Sequence, residues 1–197
     1  MAKKIDFYFD FISPFSYLAH TKLPALAEKY GVALNYHAMD IPKAKVAAGN
    51  YGPSNREVKP KIKVMLADLQ RWAKRYDVPL EFPKSFDCER WNRAVSFAVK
   101  EGKAQQFVAA AYDQIWGKGI DASDNTILAS IAAEVGLDDK ALIAYVTSEE
   151  GEADFVAACE AAHETGVFGA PIMIVDDEEY FWGNDRFEFL EEFLQQN

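Results

Sequence analysis

Ile5-Asp6-Phe7-Tyr8-Phe9-Asp10-Phe11-Ile12-Ser13-Pro14 is the stretch that decides the fold. Ile5, Phe7, Phe9 and Phe11 recur at every second position, the period of a strand with one buried side. Ser13-Pro14 then turns the chain. Serine is favoured at a helix N-cap and proline at the first helical position, so a helix opens here. From Phe15 to Tyr30 the residues Leu18, Ala19, Leu23, Leu26, Ala27 and Tyr30 fall along one helical face. Pro24 predicts a kink within that helix, and Gly31 stops it. Val32, Leu34, Tyr36 and Ala38 alternate again. A strand, a helix and a strand in this order imply a parallel pair with a right-handed crossover.

Beyond this unit the period changes. Helical spacing predicts helices over Lys61–Tyr76, Glu89–Glu101, Lys103–Trp116, Asp124–Val135, Asp138–Val146 and Glu152–Glu164, several opened by Asp, Ser or Thr caps. No strand signal occurs from Ile41 to Glu164. Strands return with Pro171–Val175 and, across the acidic turn Asp176–Glu179, with the hairpin partner Tyr180–Trp182. A last helix, Arg186–Gln195, points Phe187, Leu190, Phe193 and Leu194 inward. The expected class is α/β: βαβ, a helical block, then ββα. The expected division is one discontinuous α/β domain, residues 1–40 and 165–197, interrupted by an all-helical insertion domain, residues 41–164.

Composition narrows the function. The 197 residues carry 21 basic and 31 acidic side chains, a net charge of −10. A nucleic-acid partner calls for a basic excess, so none is expected. No apolar run approaches the roughly 20 residues of a membrane span, and no signal-peptide core is present, so a cytoplasmic protein with no membrane partner is expected. Cys88 and Cys159 form no C-x-x-C pair, which speaks against a redox dithiol or a zinc site. The charge is uneven. Val146–Asn197 holds 14 acidic residues against Arg186 alone, while Lys43–Lys63 holds six basic residues against Glu57. A basic patch in an acidic chain suits either a small anionic ligand or a plain solvated helix face.

Ser13 is the residue that draws chemistry. As a cap it has a sufficient architectural role. Its place at a strand-to-helix turn also sets it among free N–H groups at a positive dipole end, where an anion is stabilised and a thiolate's pKa falls. As a nucleophile of its own it lacks a base. His20 lies two helical turns away, roughly 10 Å, and neither His37 nor His163 sits in a hydrolase context. Each of the three histidines is expected at the surface or partly buried. Asp176-Asp177 reads as a solvated turn, and no metal-ligand spacing occurs.

Three separated motifs, Phe9-Asp10-Phe11-Ile12-Ser13-Pro14-Phe15-Ser16-Tyr17-Leu18-Ala19, Val167-Phe168-Gly169-Ala170-Pro171 and Trp182-Gly183-Asn184-Asp185-Arg186, together resemble the thioredoxin-like, DsbA-type superfamily in its kappa-class glutathione transferase branch. The order of elements agrees along the whole chain. Gly52-Pro53-Ser54-Asn55-Arg56 is similar to the pattern of the 2-hydroxychromene-2-carboxylate isomerases of bacterial naphthalene breakdown. Redox members carry C-x-x-C where this chain has Ser13-Pro14-Phe15-Ser16, so a two-cysteine mechanism is excluded at that site. The resemblance implies that Ser13 holds the thiolate of glutathione as cofactor. It implies a cis Pro171, with Ala170 offering backbone groups to the tripeptide. Asn184 and Asp185 would receive its γ-glutamyl end, with Trp182 and Gly183 also among the cofactor-binding residues, and Asp185 is a candidate cap for the last helix as well. Lys45, Asn55 and Arg56 would bind a substrate carboxylate and Phe86 would line an aromatic pocket. The resemblance also implies a homodimer. Other readings stay open: a kappa-like transferase or peroxidase acting on other electrophiles, and a thioredoxin-like binding module without catalysis.

Overall fold

A computed structural model describes residues 3–196. The expected domain ends at Met1, Ala2 and Asn197 lie outside these described residues. Four strands form one sheet in the order β2-β1-β3-β4. β1 (Lys4–Phe9) is central. It pairs in parallel with β2 (Ala33–Ala38) and antiparallel with β3 (Ile172–Val175), which in turn pairs antiparallel with β4 (Glu179–Trp182).

The alternation in β1 predicts one buried side, but the strand is buried on both. Ile5, Phe7 and Phe9 face one layer of helices, while Asp6, Tyr8 and then Asp10 are also buried. A central strand covered by helices on each face has no solvent side to spend polar residues on, so its polar groups must be bonded internally. Asp6 accepts from Asn35 at 3.0 Å and from His37 at 2.8 Å, and Lys4 stands 2.9 Å away. The strand also ends at Phe9, two residues before the alternation does.

The single kinked helix over 15–30 is two helices, α1 (Pro14–His20) and α2 (Leu23–Tyr30). Pro24 has no N–H to give, and its ring would strike the carbonyl of His20. The chain therefore closes α1 at Thr21, whose hydroxyl bonds the Leu18 carbonyl, and starts again with Pro24 in the first turn of α2. Gly31 ends α2 in the left-handed conformation, φ 62°.

A helix absent from the sequence reading follows β2. α3 (Ile41–Ala47) is opened by Asp40, which accepts from the Lys43 N–H at 2.9 Å, with Pro42 in its first turn. Then come α4 (Lys59–Tyr76), α5 (Glu89–Lys100) and α6 (Ala104–Tyr112). α6 widens into a π-helical turn, Asp113–Gly117, before α7 (Asn125–Glu134) and α8 (Asp139–Val146). α9 (Glu149–Glu164) begins three residues earlier than the spacing predicts, because Ser148 caps it through the Gly151 N–H. α10 (Phe187–Gln196) closes the chain.

Among the described residues no strand lies between positions 41 and 164. The helical block nonetheless shares its core with the sheet. Phe11, two residues past the end of β1, packs against Trp91, Phe107 and Tyr112 from α5 and α6 at ring separations of 6.3, 6.4 and 4.7 Å. No helix among the described residues is long and apolar enough to cross a membrane. Cys88 and Cys159 are both free and buried.

Candidate active site

The strand register gathers the candidate residues at one end of the sheet. Phe9, the last residue of β1, lies opposite Ala38, the last of β2, and Tyr8 lies opposite Ile172, the first of β3. Ile172 in turn faces Trp182, the last of β4. Ser13, α3 and its following loop, Pro171 and Gly183 therefore all leave the sheet at the same edge. This is where crevices form in α/β folds, because loops and helix ends diverge there.

Ser13 caps α1. It has an extended backbone, φ −96° and ψ 113°, is only 6% exposed, and its Oγ accepts from the Ser16 N–H at 3.2 Å. That bond leaves the hydroxyl proton available to an acceptor, so the architectural and chemical roles are compatible.

The peptide run leading to Ser13 is held from four directions. Asp10 Oδ1 accepts from the Ile12 N–H at 3.1 Å and from Asn92 Nδ2 at 2.7 Å. Asn92 Oδ1, on α5, accepts from the Phe11 N–H at 3.2 Å. The Phe11 carbonyl receives the Trp116 indole N–H at 2.7 Å, and the Ile12 carbonyl receives Arg56 Nη2 at 2.5 Å. The Ser13 N–H closes back on the Asp10 carbonyl at 2.9 Å. Every backbone polar group of Phe11 and Ile12 is thus bonded, each to a partner fixed by the core or by the loop carrying Arg56.

Arg56 stands directly beside this corner. Its guanidinium lies 4.7 Å over the Phe86 ring, and burial lowers its pKa from the ordinary value. Phe86 rests on Trp116 at 6.0 Å, and Phe82 meets the same indole at 5.5 Å. Arg56 is brought to the Ile12 carbonyl, next to Ser13, with Phe86 beneath it; Lys45 and Asn55 are engaged elsewhere. Lys45 Nζ donates to the Gly52 carbonyl, and Asn55 Oδ1 accepts from Lys61 at 3.2 Å.

On the opposite side, the Ala170–Pro171 peptide is cis. The Pro171 carbonyl accepts from the Gly183 N–H at 3.0 Å, which fastens the segment after β4 to the proline. Trp182 is exposed and crosses Phe168 edge-on at 4.9 Å. Gly183 has φ 111°, a backbone conformation in which any side chain is strained, and a Cβ there would also force the Asp185 carboxylate, 2.5 Å away, to turn aside. Asn184 is 3% exposed. Its carbonyl accepts from the Tyr76 hydroxyl at 2.9 Å, while its buried Nδ2 has no hydrogen-bond partner. Asp185 pairs with Arg186 at 2.6 Å. Asn184 and Asp185 form one wall of a cleft of about 360 Å³ between α2, α4 and α10, with Lys22, Trp72, Arg75 and Tyr76 on the others.

His20 is fully buried, against the expectation of an exposed or partly buried ring. It meets the Tyr36 hydroxyl at 3.3 Å, and burial pushes its pKa down to about 3. Asp176 and Asp177 are not simply solvated either. Asp176 accepts from the Lys4 N–H at 2.9 Å and Asp177 pairs with Lys4 Nζ at 2.7 Å, pinning the β3–β4 turn to β1. No cluster able to hold a metal occurs among the described residues. Asp10 and Asn92 escaped the sequence reading as site residues. An acid at the end of an apolar strand was a visible signal for Asp10, whereas nothing local marks an asparagine 82 positions away.

Comparison with known proteins places the chain in a family. The model of the DSBA-like thioredoxin domain matches residues 4–195. The chain is 58% identical over 194 residues to a 2-hydroxychromene-2-carboxylate isomerase of Sphingobium xenophagum, covering 98% of this chain and 99% of that protein. A solved structure of a 2-hydroxychromene-2-carboxylate isomerase superposes with a TM-score of 0.92 at 38% identity, over 98% of this chain and 95% of the other. More distantly, the chain is 26% identical to glutathione S-transferase kappa 1 of Caenorhabditis elegans, over 98% of this chain and 91% of that one. The chain belongs to the DSBA-like thioredoxin domain family, in the branch of the 2-hydroxychromene-2-carboxylate isomerases.

Proposed function

We propose that the protein is a glutathione-dependent isomerase that interconverts 2-hydroxychromene-2-carboxylate and trans-o-hydroxybenzylidenepyruvate. The observation that carries this reading is the contact of Arg56 with the Ile12 carbonyl, which sets a cation for a carboxylate one peptide away from the Ser13 hydroxyl. The name of the 58% identical relative gives the substrate class, and the kappa-class relative makes glutathione the matching cofactor. The residues fit the tripeptide. Asn184 Nδ2 is a buried donor that a carboxylate or carbonyl would satisfy, and the site offers a hydroxyl where a cysteine of its own would compete.

Held by Ser13, Ala170, Asn184 and Asp185, glutathione would supply a thiolate able to add reversibly to the conjugated carbon of the ring-opened substrate, the displaced electron pair moving to the α-keto oxygen and returning when the thiolate is expelled. The chain does the rest. Ser13 would donate a hydrogen bond to the sulfur and favour its charged form, while its oxygen stays aligned by the Ser16 N–H. Arg56 clamps the carboxylate at the pyruvate end and Phe86 backs the aromatic ring. Ala170 lends backbone groups to the cysteinyl unit, and Asn184 with Asp185 holds the γ-glutamyl end, flanked by Trp182 and Gly183. In this reading Lys45 and Asn55 act at the rim, after release from Gly52 and Lys61. The proposal includes an α/β unit of residues 1–40 and 165–197 that carries the cofactor, and an insertion 41–164 that carries the substrate side. A homodimer in the cytoplasm belongs to the same reading, and two buried free thiols suit a reducing compartment.

The test is an absorbance time course on the chromene acid with and without glutathione, in the wild type and in Ser13→Ala. Turnover should require glutathione. Ser13→Ala should slow it about tenfold or more while losing only about 1 kcal/mol of stability from the cap. A full rate without the tripeptide would overturn the reading.

A further inference from the structure

Asp10 is a carboxylate in a place that does not need one for packing. It is 3% exposed and stands where β1 stops, with apolar residues before and after it. Three N–H donors from three parts of the chain converge on it: Ile12 at 3.1 Å from the corner, Asn92 at 2.7 Å from α5, and Ile41 at 3.0 Å from the start of α3. Its own carbonyl takes the Ser13 N–H at 2.9 Å and the Tyr112 hydroxyl at 3.3 Å.

We propose that Asp10 is a positioning residue for the reaction: by accepting from Ile12, Asn92 and Ile41 together, its carboxylate fixes the run Phe11–Ile12–Ser13, and so sets the Ser13 hydroxyl and the Arg56 guanidinium relative to one another. This rests on the glutathione reading above for what the two groups hold. An asparagine of the same shape cannot replace it. Three donors need acceptors on both oxygens, and an amide would turn its own N–H₂ toward one of them. The ionised form therefore matters, and it is the form the site works against. Burial raises the Asp10 pKa to about 6, opposed by the three donors. The other groups facing it are Asp40 at the cap of α3, Arg56 on the loop, Cys88 at the start of α5, Tyr112 on α6 and Cys159 on α9, and Arg56 alone among them is cationic. As pH falls through about 6, one oxygen becomes a donor, one of the three N–H groups loses its partner, and the corner loosens.

The experiment pairs Asp10→Asn with amide nuclear magnetic resonance of the wild type. In Asp10→Asn, kcat for glutathione-dependent isomerisation should fall about tenfold or more, with a smaller change in KM for the chromene acid. In the wild type the amide signals of Ile12 and Ile41 should titrate together with a midpoint near pH 6, and the variant should lose that titration. A folded variant with kcat within about twofold of wild type would overturn the proposal, as would a wild type in which neither amide titrates between about pH 5 and 8. If the variant does not fold, the wild-type titration decides alone. A wild type that titrates at both amides but shows no glutathione-dependent turnover sinks the proposed reaction while supporting the Asp10 clamp.

Discussion

Ser13 and Arg56 are 43 residues apart in sequence and meet at one peptide, the first through the chain and the second through the Ile12 carbonyl. Arg56 already serves a backbone oxygen, and in the proposed reaction its five donors would allow it to serve a substrate carboxylate as well. Lysine would keep the charge but could neither stack on Phe86 nor bridge two oxygens in a plane. Arg56→Ala should raise KM for the chromene acid about tenfold or more, with Arg56→Lys between it and wild type. The control is addition of glutathione to an uncharged aryl halide. Equal losses on both substrates would show a damaged corner and not a lost carboxylate clamp. The resemblance of Gly52–Arg56 to the isomerase pattern made this residue visible; the six basic side chains of Lys43–Lys63 alone fit a solvated helix face equally well. The sequence did not separate Arg56, at the corner, from Lys45, which turns back to Gly52, because loop closure is a long-range choice that charge counting does not see.

The elements were legible where a period repeats and obscure where one residue overrides it. β1, β2 and the long helices follow from alternation and helical spacing. Three departures have local causes. Pro24 divides a helix that the apolar stripe alone makes continuous. Asp40 and Pro42 open α3 in a segment with too few apolar residues to show a face. The π-helical turn Asp113–Gly117 carries one extra residue per turn, which spacing for an ordinary helix cannot anticipate. That turn carries Trp116 in a site where its indole N–H reaches the Phe11 carbonyl and its ring supports both Phe82 and Phe86. Trp116→Phe keeps an aromatic floor but strands a buried carbonyl. It should cost about 1–3 kcal/mol in urea unfolding, with an unchanged slope against denaturant. An unaltered midpoint would mean that the Phe11 carbonyl finds another donor.

At the scale of the whole molecule, two buried titratable groups oppose each other in acid. His20 packs against Phe7, Tyr36 and Tyr112, while Asp10 is held by Asn92. Burial holds the folded His20 pKa down at about 3, so as pH falls below the ordinary value of 6.5 the unfolded chain takes a proton that the folded chain refuses. Stability contributed by His20 is present above that value and drains below it, by about 1.4 kcal/mol per pH unit. Asp10 has the opposite sign. Its folded pKa is raised to about 6 from 3.8, so from pH 6 downward the folded chain takes the proton first and gains the same amount per unit. Between about pH 6 and 4 the two slopes cancel. His20→Leu should therefore gain about 2 kcal/mol relative to wild type on going from pH 6 to 4.5, and Asp10→Asn should lose about 1.5 kcal/mol over the same interval. Urea unfolding of the three proteins at both pH values reads this directly, because the exposed carboxylates contribute a common slope that drops out of the differences. If all three change alike with pH, neither group exchanges its proton on unfolding in the way its burial demands.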